Sequence, residues 1–496
     1  MSRELEDIKA SISDGLRVSF VSGKFNVIHP GHVRLFRFAR EISDYLVVGL
    51  FEDGSSDDLV IAEEERLEGV TSNTWVDAAF IFREGLLSTI KQLKPDIVVK
   101  GTEHENQDNP ELAVVEEYGG VVHFASGNTR FSSIELLQTE IGTGRDGLIR
   151  HANQYLSRHN ISLEQLNSTI NKMSDIRTLV IGDLIVDRYI DCEPIGMSSE
   201  DPSLVVSPLL TQTFVGGAGI VAAHSASLGG ETHFISVCGD DGDAEYVRDN
   251  LSNSGVSATC IADLSRPTTS KTRYRADGQT MLRVNNLRDH EISNYIVNQM
   301  LELTLDLLPE IDLLILSDFS YGLFTNDLIT KVTDVSRQQN IIIVADSQSS
   351  SQFGDIGRFT DVTLITPTEK EARLAVKDKH GGLVKVADEL QSLVNARDVV
   401  LTLGPEGIFL RTKSREANIN LPISPGQDDR IPALNRDPKD VAGAGDAFLV
   451  GSALSIASGA AIWEAAYIGS MAAACQIGRI GNIPLQAEEL VDELSL

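Results

Sequence analysis

The chain has 496 residues, of which 42% are hydrophobic and 23% charged, and it carries a formal net charge of −30. That length exceeds what one hydrophobic core usually serves and predicts two or three domains. The negative charge argues against nucleic acid or an anionic membrane as a partner, since both require a basic face.

The cysteines lie far apart, at Cys192, Cys238, Cys260 and Cys475, and form no C-x-x-C pair. We therefore expect reduced thiols and neither a disulfide framework nor a zinc site. The N-terminus is charged, and no run of 18 apolar residues occurs. These features predict a soluble cytoplasmic protein with neither signal peptide nor membrane span.

Residues 1–142 predict a parallel α/β domain. A buried strand at 17–22 leads through a glycine turn into a helix at 33–41, and a second strand follows at 44–50. Such sheets bind ligands at the carboxyl ends of their strands. His29 and His32 lie at this first turn, where two imidazoles can stabilise charge during displacement at an α-phosphate. We take both as candidate catalytic residues, although neighbouring histidines can also be incidental.

The turn His29-Pro30-Gly31-His32 resembles the H-x-G-H signature of the nucleotidyltransferase superfamily that includes the cytidylyltransferases. The likeness continues through the strand at 93–101 and the serine-containing segment at 130–137. It implies a Rossmann-like domain that binds a nucleotide. The residues that it assigns to nucleotide binding are Gly23, Lys24, Phe25, Asn26, Lys100, Arg130, Ser132 and Ser133.

This segment departs from that family at two contacts. Asn26 replaces the usual aspartate of the turn, and the acidic stretch with Asp57 and Asp58 replaces a lysine that neutralises triphosphate. Lys24 is an alternative source of that charge. Nucleotidyl transfer and a retained fold with weakened catalysis therefore both stay open for the first domain.

Residues 143–174 are polar, with apolar positions at helical spacing, and predict a helical linker. From 175 to 496, apolar strands alternate with helical stretches, which predicts a second, mostly parallel sheet with helices on both faces. Two segments of alternating pattern, at about 189–214 and 268–284, predict a small sheet that stands off this domain. Ordinary surface hairpins are the alternative.

The stretch Gly443-Ala444-Gly445-Asp446 is the strongest candidate site of the second domain. Glycines let successive N–H groups point at one spot, and the helix that follows adds partial positive charge, which together suit a phosphate. Asp446 would then take the proton from a hydroxyl that attacks phosphorus. The alternative is a glycine loop whose acidic residue only caps a helix. Asp187 is a candidate acceptor for a sugar diol.

The second segment resembles the ribokinase-like, PfkB-type sugar kinases, with Gly216-Gly217 and the G-A-G-D stretch as their two signatures in family order. The resemblance implies that Asp446 is the base, that residues 443–445 form the anion hole, and that Asp187, Gly216 and Gly217 contact the sugar. It implies that the small sheet is a substrate lid, which in this family often mediates dimers. The remaining assignments are Thr402, Gly404 and Gly407 at the ATP site, and Glu371 as a Mg²⁺ residue acting through water.

Segments 182–189, 199–202 and 316–322 resemble more closely the bifunctional heptose-phosphate kinase/nucleotidyltransferases of the ADP-heptose synthase type, with the domain order reversed. Ile220, Thr368 and Ala442 replace an asparagine, an asparagine and a threonine of the family pattern. Residues 346–349 replace a lysine-containing stretch. A lost polar contact costs roughly 1–3 kcal/mol where a substrate hydroxyl goes unpaired, so the sugar can differ from the heptose phosphate.

Together these features predict a bifunctional enzyme of activated-sugar synthesis. One domain would phosphorylate a sugar or sugar phosphate with MgATP, and the other would join a sugar 1-phosphate to a nucleotide from ATP or CTP. A nucleotide- or sugar-binding regulatory protein with one or both domains degenerate is the alternative. The sequence predicts a homo-oligomer, and leaves the sugar, its anomer, the nucleotide base and the oligomeric state open.

Overall fold

The computed structural model describes residues 3–13, 15–25, 28, 30–55, 62–101, 109–125, 149, 151–201, 203–276, 279–348, 354–413, 427–435 and 438–495. The chain divides into two compact units: Met1–Arg145 with Asp378–Asp388, and Asp146–Lys377 with Glu389–Leu496. Among the described helices, none has the length and apolar character needed to cross a membrane.

The first unit is built on a parallel sheet of five strands in the order β3-β2-β1-β4-β5. The central strands are buried on both faces, as is usual where helices cover both sides of a parallel sheet. Its strands are β1 (Val18–Gly23), β2 (Tyr45–Phe51), β3 (Ala78–Phe82), β4 (Ile97–Gly101) and β5 (Val121–Ala125). Its helices are α1 (Arg3–Ser11), α2 (Pro30–Glu41), α3 (Glu63–Thr71), α4 (Leu86–Leu93) and α5 (Glu111–Glu116).

The second unit has a nine-stranded sheet in the order β10-β9-β6-β13-β14-β15-β16-β17-β18, parallel as far as β16 and antiparallel from there. Its strands are β6 (Arg177–Gly182), β9 (Glu231–Cys238), β10 (Val256–Ala262), β13 (Leu313–Asp318), β14 (Ile342–Ser347), β15 (Leu364–Ile365), β16 (Asp398–Thr402), β17 (Ile408–Thr412) and β18 (Gln427–Ile431).

The helices that follow the first unit begin with α6 (Asn153–Arg158) and α7 (Leu163–Lys172), then α8 (Ala218–Ser227), α9 (Gly242–Asn253), α10 (Asn294–Leu307) and α11 (Asn326–Gln338). After them come α12 (Glu369–Val376), α13 (Leu383–Val394), α14 (Ala444–Ala457), α15 (Ile462–Ile477) and α16 (Ala487–Ser495).

A separate four-stranded sheet stands beside the large one, in the order β12-β11-β7-β8. It consists of the long hairpin β7 (Leu184–Met197) and β8 (Leu204–Gly217) and the shorter hairpin β11 (Ser270–Ala276) and β12 (Gln279–Asn286). Pro194 and Pro208 lie inside the strands of the long hairpin, beside shifts in the β7–β8 register. Bulges and edge strands tolerate a residue that cannot donate a ladder hydrogen bond.

Helix α14 is buried along almost its whole length, from Asp446 to Ile456. It packs closely on α15, where a Cβ on Gly451 would lie 3.1 Å from the Ala472 Cβ. A helix that is apolar all round belongs in a core, and this one carries Asp446 in its first turn. The core therefore fixes the position of that carboxylate.

The helices of the predicted linker pack into the core of the second unit. Tyr155, Leu156, Leu166 and Ile170 are buried there, and the Tyr155 hydroxyl donates to the Trp463 carbonyl at 2.8 Å. The sequence pattern suggested a polar connector, because short helices with few apolar positions leave a weak periodic signal. The extent of the linker as a domain element stays a prediction.

Candidate active site

A cavity of about 520 Å³ opens in the second unit and brings together candidates that are far apart in the sequence. Asp187 and Gly217 lie at one end, the 443–446 stretch lies along one wall, and Thr402, Gly404 and Gly407 line the other end. Strands β14 and β16 point their carboxyl ends at this cavity, which is where open α/β sheets bind ligands.

Asp446 is nine-tenths buried in the first turn of α14 and lines the cavity. The Gln348 amide nitrogen donates to Asp446 Oδ1 at 2.8 Å. Burial raises the pKa of Asp446 to about 6, and the nearby Asp187 charge adds to the rise, while Gln348 and Lys271 oppose it. A carboxylate with that pKa is ionised at neutral pH and basic enough to accept a proton from an alcohol.

The predicted anion hole coincides with the N-terminus of α14. Gly443 is the N-cap residue and has φ of 75°, in the left-handed region that favours glycine. A Cβ added to Gly445 would meet nothing within 4 Å, so the backbone there borders open space. Free N–H groups at a helix N-terminus suit a phosphate.

Residues of the small sheet and Asn482 line the part of the cavity where the sequence predicts sugar binding. Asp187 lies within β7, and its Oδ1 accepts from Arg273 Nη1 at 2.8 Å while its Oδ2 accepts from Asn482 Nδ2 at 3.3 Å. Lys271 also lines the cavity, with its ammonium 5.3 Å from the centre of the Phe319 ring. A Cβ on Gly216 would lie 2.2 Å from Asp187 Oδ2, so only glycine fits beside that carboxylate.

The other end of the cavity is less polar. Thr402 ends β16, and Gly404 and Gly407 form the turn into β17. Gly407 has φ of 89°, and a Cβ there would lie 2.0 Å from the Ile431 carbonyl oxygen. The lining continues with Pro432, Ala433, Leu434, Asn435, Ala473, Ala474 and Ile477. The assignment of this part of the cavity to ATP stays a prediction.

Glu371 lines the cavity between these two ends. Thr368 and Glu371 form a capping box at the start of α12, in which the Thr368 hydroxyl and amide donate to Glu371 Oε2 at 2.7 and 2.8 Å. Asp346 lines the same region, and burial together with the Glu371 and Asp446 charges raises its pKa well above the usual range. These carboxylate oxygens are ligands of the type that Mg²⁺ prefers.

No group of three or more His, Cys, Asp or Glu side chains within the described residues is placed to bind a metal directly. The part of Glu371 in Mg²⁺ binding stays a prediction.

In the first unit, the described part of the predicted nucleotide site is a tight turn after β1. Phe25 has φ of 45°. Its ring contacts the His32 ring edge-on, with the two ring centres 5.0 Å apart. Arg66 is fully buried and donates to the Lys24 carbonyl at 2.8 Å and the Phe51 carbonyl at 2.9 Å. A Cβ on Gly23 would lie 2.7 Å from the Phe25 ring, so the turn requires glycine there.

Lys100 is engaged inside the first unit. Its ammonium donates to Asn109 Oδ1 at 2.7 Å and to Glu111 Oε1 at 3.0 Å. The remaining predicted residues of this site lie outside the described residues: Asn26, His29, Asp57, Asp58, Arg130, Ser132 and Ser133. The roles proposed for them stay predictions.

The cavity lining that sequence reasoning missed includes several charged and polar residues, among them Lys271, Arg273, Asp346, Gln348 and Asn482. The alternating pattern at 268–284 was a usable signal for the first two, because residues two apart on a strand share a face. The stretch with Asp346 and Gln348 departs from the family pattern, which marked it as unusual. Its contact with the site could not be predicted, because Asp446, which accepts the Gln348 hydrogen bond, lies 98 positions away in the chain.

Comparison with known families agrees with the two units. Residues 176–488 match the pfkB family of carbohydrate kinases, and residues 20–141 match the cytidylyltransferase-like family. The chain is also similar to the bifunctional protein HldE of several bacteria. It is 29% identical to that of Desulfatibacillum aliphaticivorans over 331 residues, covering 66% of this chain and 64% of that protein. For Nitrobacter hamburgensis the identity is 30% over 327 residues, covering 64% of each.

The chain thus spans 64% of the length of each of these two relatives. Two solved structures share the fold of its larger unit. One is ribokinase from Arabidopsis thaliana complexed with ribose and ATP, with a TM-score of 0.50, 16% identity and coverage of 65% of this chain and 99% of that one. The other is phosphofructokinase-2 from Escherichia coli in complex with substrates and products, with a TM-score of 0.52, 17% identity and coverage of 64% and 99%.

Proposed function

The chain belongs to the pfkB family of carbohydrate kinases, and we propose that it is a bifunctional enzyme of activated-sugar synthesis. In this proposal the second unit transfers the γ-phosphoryl group of ATP to a sugar or sugar phosphate. The first unit transfers a nucleotidyl group from ATP or CTP to a sugar 1-phosphate and releases pyrophosphate. The single observation that carries the kinase assignment is the cavity in which Asp446 and the amides of α14 face the polar end that contains Asp187.

The kinase step follows from that arrangement. Asp187 accepts hydrogen bonds from hydroxyls of the acceptor and so orients it beside Asp446. Asp446 takes the proton of the attacking hydroxyl, whose oxygen forms the new bond to phosphorus as the bond to ADP breaks. The amides at the start of α14 stabilise the charge on the transferred group. Mg²⁺, held through Glu371, would neutralise the phosphate oxygens of ATP.

Two cations at the sugar end favour a sugar phosphate over a free sugar. Lys271 and Arg273 both come from β11 and both line the cavity. Arg273 pairs with Asp187 at 2.8 Å, and Lys271 adds a second cation from the same strand to a chain that is otherwise acidic. An anionic group on the acceptor would meet those cations, in line with the bidentate recognition of phosphate by arginine.

The test is an ADP-release assay with MgATP and a panel of heptose, hexose and pentose phosphates beside the corresponding free sugars. We expect turnover of at least one sugar phosphate, with a lower KM than its free sugar. Lack of turnover of the whole panel by folded protein would overturn the kinase proposal. Calorimetry that then showed ATP or CTP binding would favour the regulatory alternative.

The nucleotidyl step needs a separate assay, because it uses different residues. Incubation with ATP or CTP and a sugar 1-phosphate should release pyrophosphate, and a His32→Ala variant should lose that activity while keeping ADP release in the kinase assay. Loss of both activities together would count against independent roles for the two units.

The proposed dimer uses the small sheet of a second copy. Strands β7, β8 and β12 of this sheet carry apolar side chains that are more than half exposed: Ile195, Met197, Leu209, Leu210 and Leu282. Exposed apolar side chains clustered on one small sheet favour an interface. Light scattering should give twice the chain mass of 53.9 kDa, and Leu209→Glu should reduce it to that of one chain. A monomeric wild-type protein would refute this assembly.

A further inference from the structure

Gln348 is the polar residue in closest described contact with the proposed base. It follows β14 directly, and its backbone N–H donates to the Asp318 carbonyl at 2.8 Å. The neighbouring Ser347 hydroxyl donates to Asp318 Oδ2 at 2.8 Å. These hydrogen bonds hold the backbone at the end of β14, so the Cα from which the Gln348 side chain extends is fixed in position.

The Gln348 amide group interacts with two buried carboxyl groups. It donates to Asp446 Oδ1 at 2.8 Å, and its interaction with Asp346 opposes the rise that burial causes in the pKa of that carboxyl. Both carboxyl groups are at least nine-tenths buried, and the Asp446 charge contributes to the raised pKa of Asp346. A primary amide carries two N–H donors on one nitrogen, which is the group needed to separate two such acceptors without adding charge.

We infer that Gln348 is a positioning residue for the phosphoryl-transfer step, which holds Asp446 by one oxygen so that the other faces the acceptor hydroxyl. This inference rests on the proposed kinase function. With Oδ1 occupied by the amide, the carboxylate cannot rotate freely, and the attacking hydroxyl meets Oδ2. Reactions of this type depend steeply on such alignment.

The titratable and charged groups around Asp446 determine how replacement of Gln348 would change its pKa. Asp187 from β7 and Asp346 from β14 are buried carboxyl groups, Lys271 from β11 is positive, and Glu371 from α12 acts on Asp346. Without the amide, Asp446 keeps these neighbours but loses the hydrogen bond that Gln348 donates. Protonation of Asp446 then becomes easier, because the hydrogen bond that favoured its charged form is gone.

The test compares the pH dependence of kcat/KM in Gln348→Leu and Gln348→Lys with that of the wild type, using the sugar phosphate of the panel with the highest kcat/KM. We expect the acid limb to move up by roughly one pH unit in Gln348→Leu and down by a similar amount in Gln348→Lys. At pH 7 kcat of the leucine variant should fall about tenfold or more, while KM for ATP stays unchanged.

A matched control is Gln391→Leu. Gln391 is also a buried glutamine, and its amide donates to the Arg397 carbonyl at 2.9 Å, but it does not line the cavity. This variant should lower the melting temperature without moving the acid limb. An acid limb in the same place in wild type, Gln348→Leu and Gln348→Lys would overturn the inference while leaving the kinase function intact. No turnover by the wild type would overturn both.

Discussion

The buried guanidinium of Arg66 provides the sharpest test of how the first unit is held together. Its side chain is 1% exposed, and it donates to the carbonyls of Lys24 and Phe51 and to Asp53. In Arg66→Met those two carbonyls lose their partner. At about 1–3 kcal/mol for each unpaired buried acceptor, we expect a loss of about 2–6 kcal/mol in the free energy of unfolding. The half-exposed Asp53 adds little because water replaces the arginine there.

The two tryptophans make the measurement selective. Trp75 lies in the first unit and Trp463 in the second, so urea unfolding of a Trp463→Phe background followed by fluorescence reports the first unit alone. Arg83→Met is the matched control. Like Arg66, Arg83 pairs with a carboxylate, in this case that of Glu63, but its side chain is 57% exposed. It should leave the transition unchanged. If Arg66→Met shifted the free energy by less than about 1 kcal/mol, the value typical of an exposed ion pair, the reasoning would be wrong.

The other predictions concern the second unit. Asp446→Asn should reduce kcat by about 10²–10⁴-fold. The kcat/KM of the wild type should fall as the pH drops below about 6, where the Asp446 carboxylate takes up a proton. A flat profile down to pH 5 would contradict the assignment of Asp446 as the base. Gly407→Ala should lower stability by more than Gly459→Ala. Both glycines have positive φ, but only at Gly407 would the added Cβ lie against a carbonyl oxygen. Equal melting temperatures for the two variants would argue against that clash. Burial lowers the pKa of His224 to about 3, so the unfolded chain binds a proton at this residue that the folded chain does not bind. As the pH is lowered from 6.5 to 3, the free energy of unfolding should therefore fall by up to about 1.4 kcal/mol per pH unit. Denaturant titrations at each pH should show a shallower fall for His224→Gln.

The sequence was most informative where a local pattern decides the structure. The α/β class, the glycine turn before α14 and the small sheet all follow from periodicity and from residues that tolerate unusual backbone angles. The fold and the match to two families confirm the α/β class and the bifunctional family resemblance.

The site was predictable only in part, because its residues meet through tertiary structure. Asp187 was proposed as an acceptor for a sugar diol, and it lies within β7, since the small sheet begins immediately after β6. The link from Gln348 to Asp446 joins two strand-end segments with no sequence relation. Contacts of this kind depend on strand order, which a single sequence does not reveal.

The hairpin of β7 and β8 has a mechanical consequence. It leaves β6 after one intervening residue and returns at Gly217, directly into α8, and it carries Asp187 between those points. In the proposed kinase, the cover of the cavity and the acceptor of the sugar hydroxyls would thus be one continuous piece of backbone. Binding of the acceptor and exclusion of water would then be coupled, so that ATP bound alone would have neither the correct nucleophile nor a closed chamber from which water is kept out.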